Sequence, residues 1–83
     1  MIYILQYDKT EKASYFFCDS PSYFEKAVFE FGILEKNIQH IGRFSIAKID
    51  YDTYKKILNN TCYTLCKEDE FYKYQEKVRN KTI

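Results

Sequence analysis

The stretch Asp19-Ser20-Pro21-Ser22-Tyr23-Phe24-Glu25-Lys26-Ala27-Val28-Phe29-Glu30-Phe31-Gly32 decides the architecture, because it is punctuated at both ends and patterned between them. Pro21 suits a first helical turn, where its missing N–H has no partner to lose. Ser20 can cap that turn through its hydroxyl, and Ser22 with Glu25 offers a competing capping box. Phe24, Ala27, Val28 and Phe31 recur at i, i+3, i+4 and i+7, the stripe of a helix lying on a core. Gly32 can then take the left-handed conformation that ends it. Phe29 lies about 140° from Phe24 at 100° per residue. It stands among Glu25, Lys26 and Glu30 and is the clearest candidate for an exposed aromatic.

Short extended segments precede this helix. In Ile2–Tyr7, Ile2 and Ile4 alternate with Tyr3, Leu5 and Tyr7, so both faces of a strand carry apolar residues. Ser14–Cys18 reads as its antiparallel partner, joined through the polar turn Asp8–Ala13. Beyond the helix, Ile33–Asn37 is a connection. Gln39–Ile49 reads as one extended stretch beginning near His40, with Gly42 a bulge or bend. Within it Phe44 and Ile46 share one face, and Ser45, Ala47 and Ile49 the other.

Asp50 or Asp52 can cap a second helix running to about Leu58, with Tyr51, Tyr54, Ile57 and Leu58 on its apolar side. Thr61–Leu65 has the β-branched and aromatic content of a short strand. Lys67–Asn80 predicts a last helix, striped by Phe71, Tyr74 and Val78. Its start is acidic and its end basic, as the helix dipole favours. The order is β-β-α-β-α-(β)-α. It predicts a single α+β domain over residues 1–83: a small, mostly antiparallel sheet of three or four strands with two or three helices packed on one face.

Composition narrows the function classes. The chain has 83 residues, nine Tyr, seven Phe, two Gly, one Pro, one His and no Trp, with a net charge of +1. Two isolated glycines leave no phosphate-cradling loop. His40, alone, belongs to no catalytic motif. The acidic groups Asp50/Asp52 and Glu68/Asp69/Glu70 stand at helix starts, where capping explains them. Cys62 and Cys66 form a C-x₃-C pair, but Cys18 and His40 do not make a second half-site, so packing is the expected role of the thiols and no metal or cofactor is expected. Three cysteines without a signal peptide suggest a reducing, cytoplasmic setting, and no apolar run is long enough to span a membrane.

The reading that fits best is a small non-enzymatic protein-binding module. Tyr-rich surfaces supply large contacts at low entropic cost. The candidate partner surface is Tyr23, Lys26, Phe29 and Glu30. A composition rich in Ile, Lys, Asn, Tyr and Phe fits an AT-rich coding sequence. It suggests a phage- or mobile-element-encoded inhibitor of a host or defence protein, comparable in size to anti-CRISPR proteins. The alternative is a nucleic-acid binder that stacks bases on the strand aromatics Tyr15, Phe16, Phe17 and Phe44 and neutralises phosphates with Lys73, Lys77, Arg79 and Lys81. An exposed strand edge, Ile2–Tyr7 or Thr61–Leu65, could also pair across a homodimer.

Overall fold

The computed structural model describes residues 1–82, with side chains described through Asn80. Five strands and three helices alternate along it: β1 (Ile2–Leu5), β2 (Ser14–Cys18), α1 (Pro21–Phe31), β3 (Ile38–Ile41), β4 (Phe44–Ile49), α2 (Tyr51–Asn60), β5 (Tyr63–Cys66) and α3 (Glu68–Thr82). A 3-10 turn, Glu35–Asn37, precedes β3. The strands form one sheet in the order β3-β4-β2-β1-β5. Its neighbours are antiparallel except β1 and β5, which run parallel. The fold is therefore α+β, with five strands rather than three or four.

The extra strand comes from the stretch expected to be continuous. Residues 38–49 are a hairpin, with Ile41 paired to Phe44 and His40 to Ser45. Its two-residue loop is Gly42-Arg43. Gly42 has φ 63°, which a Cβ would strain, and it takes the first central position of the loop. That is where type II′ hairpin turns place glycine.

The helix boundaries follow local chemistry. Ser20, not Ser22, caps α1: its hydroxyl accepts the Tyr23 N–H at 3.3 Å. Gly32 closes α1 at φ 63°, ψ 39°. Asp50 caps α2 by accepting the Thr53 N–H at 2.9 Å. Glu70 reaches back to accept the Lys67 N–H at 3.1 Å at the head of α3.

The placement of α3 differs from the expectation that all helices share one face. Helices α1 and α2 cover one face, burying Ile2, Ile4, Phe16, Ala47 and Ile49 against Phe24, Ala27, Tyr54 and Ile57. The opposite face is covered by α3, which buries Phe17, Phe44 and Cys66 under Phe71 and Val78. Aromatic stacking ties it down. The Tyr3 ring lies 5.1 Å from Phe17 and 5.0 Å from Tyr74, and Phe17 lies 5.1 Å from Phe71. The physical reason is the strand pattern itself: alternate residues of β1, β2 and β4 are apolar on both faces, and one layer of helices leaves half of them wet.

Candidate functional site

Two helices packed about 8–10 Å apart do not quite span five strands spaced about 4.8 Å apart. Helix α1 lies over β2 and β4, and β3 lies one strand farther out. An open groove of about 730 Å³ remains between them. Phe24 and Val28 of α1, Cys18 of β2 and Ile38 of β3 supply its apolar lining. Two large apolar side chains stand on its α1 side: Phe29 is 90% exposed and Leu34 57%. Such residues surrender little on binding except water, because the fold does not use them.

The hairpin side of the groove is polar and braced. His40 Nδ1 lies 2.8 Å from Ser45 Oγ, directly across the ladder, and Nε2 lies 2.5 Å from Glu35 Oε1. The imidazole thereby links the 3-10 turn to the hairpin and holds this wall in place. Hydroxyl, imidazole and carboxylate also stand in the order that general-base activation of a serine uses. The His40 and Glu35 side chains are 53% and 77% exposed, so water reaches their contact from outside. Glu25, Glu35 and Arg43 add charges of both signs around the apolar lining.

One thiol, that of Cys18, lines this groove. Cys18 is buried, and burial pushes its thiol up to about 12, so at neutral pH it is a protonated, weakly nucleophilic side chain. Burial also raises Cys66. Cys18 packs under α1 and α2 while Cys66 packs under α3, on opposite faces of the sheet, and Cys62 is exposed. Among the described residues no three His, Cys, Asp or Glu side chains gather in a metal-holding group.

The structure divides the four residues expected to share a partner surface. Phe29 belongs to the rim just described. Tyr23, Lys26 and Glu30 flank a separate small cleft with Ile2 and Thr61 on the other side of α1. Tyr23 is half-buried against the core. Leu34, Ile38 and Cys18, which join Phe29 at the groove, come from three other segments. The helical wheel of α1 carries no trace of them.

The nucleic-acid residues are divided as well. Phe16 and Phe17 are 0% exposed and Phe44 2%, so helices occupy the stacking surface those rings would have offered; Tyr15 alone of the four is half-buried. On α3, Lys73 and Lys77 lie on the flank with Glu70 and Tyr74. Arg79 lies about 160° around the helix from Lys77, on the Tyr72 side. The side chain of Lys81 lies outside the described residues. The basic groups therefore form no single stripe. Among the described residues no helix is long and apolar enough to cross a membrane. None of the family models, curated proteins or solved structures compared with the chain matches it.

Proposed function

We propose that this protein is a non-enzymatic protein-binding module whose groove between α1 and the β3–β4 hairpin receives an apolar side chain of its partner. The observation that carries the reading is Phe29, a large ring 90% exposed at the edge of a groove with an apolar lining. An aromatic side chain beside a pocket, ringed by charges of both signs, has the composition of a binding hot spot. The partner surface is accordingly an apolar residue flanked by polar or charged groups. Inhibition of a host or defence protein by a phage or mobile-element product is one use of such a surface.

Selection of displayed peptides on the immobilised protein tests this directly. Enriched peptides should share an apolar residue and should perturb the amide resonances of Val28, Leu34 and Ile38. Their affinity should fall at least about tenfold with Phe29→Ala and with Val28→Arg, which fills the groove. Peptides that bind elsewhere, or that ignore both substitutions, refute the assignment.

A further inference from the structure

The opposite end of the sheet is a different kind of surface. Among the described residues β5 pairs with β1 alone, so its outer edge is open, whereas β1, the other strand considered for an edge, is internal. The Gln6 N–H donates to the Cys66 carbonyl at 3.0 Å across the parallel pair. Backbone groups of successive strand residues point to alternate sides. Thr64 and Cys66 are therefore turned toward β1, and the N–H and C=O of Tyr63 and Leu65 face outward. The side chains of these same two residues project from the α1/α2 face but lie beyond both helices, 39% and 45% exposed. Residues 62–66 carry none of the usual guards of an open edge: no Lys, Pro, Gly or charge.

We propose that β5 is a self-association edge, on which a second copy of this chain pairs antiparallel about a twofold axis through Thr64. Register singles out this axis. It sets Tyr63 of each copy opposite Leu65 of the other, and each such pair exchanges two backbone hydrogen bonds, four in all. It also lays the exposed Tyr63 ring against the exposed Leu65 of the second copy on one continuous face. An axis through Leu65 does worse. It sets Tyr63 opposite Lys67, whose N–H is already engaged by Glu70.

Helix α3 touches β5 but also β1 and β4, so it crosses the sheet away from this edge. The flank of α3 bearing Tyr74, which stacks on Tyr3 of β1, also bears Glu70 and Lys77. The other flank, with Glu68, Tyr72 and Gln75, faces a cleft toward β3. The Glu70–Lys77 flank is therefore the one directed to β5. The twofold runs the two α3 helices antiparallel. The contact is smaller than the about 1,200 Å² of stable interfaces, so the dimer is reversible and concentration-dependent.

Cysteine placement reads the register. In a Cys62→Ser background, Thr64→Cys should give a disulfide-linked dimer under mild oxidation. The axial pair is non-hydrogen-bonded, with Cα atoms about 4.5 Å apart, within disulfide reach. Tyr63→Cys and Leu65→Cys should not link to themselves, because the register offsets each from its own copy. Leu65→Lys should raise the dissociation constant at least about tenfold without lowering Tm, since Leu65 is exposed. Equal cross-linking at all three positions indicates random collision and overturns the register. Sedimentation showing only monomer up to about 1 mM overturns the proposal, even if an extended segment of another protein is later found on the edge.

Discussion

The two ends of the sheet face beneath α1 and α2 are both uncovered, but they offer different chemistry. At the β3–β4 end the hairpin rises beside α1 and encloses a groove, so side chains form the recognition surface. At the β5 end no further strand pairs on the outer side among the described residues, and the backbone itself is open. A groove reads the shape of an inserted side chain, whereas an edge reads extended conformation and register. The difference traces to the connections. The Gly42-Arg43 loop folds residues 38–49 back on themselves, whereas α2 delivers β5 to the far edge as a lone parallel strand. If the β5 edges pair, the two grooves lie at the outer ends of a ten-stranded sheet, and one dimer engages two partner sites.

The largest expected effect breaks both ends at once. Phe24 is buried against Phe16 at a ring separation of 5.6 Å and also lines the groove. Phe24→Ala should cost about 3–5 kcal/mol, a large part of the stability of a domain this size. Thermal or denaturant unfolding should show the loss. Retention of wild-type stability means that α1 is not the wall shared by core and groove.

The next effect separates the ends. Phe29→Ala should weaken partner binding by about 2 kcal/mol while Tm stays within experimental error. It should leave dimerisation unchanged, just as Leu65→Lys should leave peptide binding unchanged. The double variant should show the two losses independently, within about 0.5 kcal/mol of additivity. Coupling beyond that means that the ends communicate through the sheet, and the comparison fails as drawn.

Much of this was legible in the residues, and what was not has physical reasons. Pro21, Ser20 and Gly32 mark α1 because capping is local, and the exposure of Phe29 follows from its angle on the helix. The β3–β4 hairpin was harder to see. Its loop begins with glycine rather than carrying Asn-Gly, and an isolated glycine in a β-like run also fits a bend. The position of α3 was implicit in Tyr3, Leu5, Phe17 and Phe44, which need cover on the face that α1 leaves bare. The groove was illegible from any one segment. Cys18, Val28, Leu34 and Ile38 meet only after β2, β4 and β3 pair, and the hydrogen bonds of His40 to Glu35 and Ser45 depend on hairpin register.

The smallest effect concerns the cap of α2, the helix that packs beside α1 and brings the chain round to β5. Asp50 accepts the Thr53 N–H, and this bond to the charged form holds its carboxyl below the usual value of about 3.9. A depressed folded-state value means that ionisation favours the native state. The stabilisation is fully present above the unfolded value and disappears as pH falls through the folded one. Because Asp50 is exposed, water screens the interaction, and the expected loss on Asp50→Ala at neutral pH is the cap itself, about 1 kcal/mol. The difference in stability between the two proteins should shrink as pH is lowered below about 4. Asp50→Ser should recover most of the loss at neutral pH, because a hydroxyl can cap without charge, and should be less sensitive to acid. Peptide binding and dimerisation should change little in either variant, since Asp50 lies at neither the groove nor the β5 edge. If Asp50→Ala instead impairs β5 pairing, α2 positions that strand, and the edge at the β5 end is less independent of the helices than the groove.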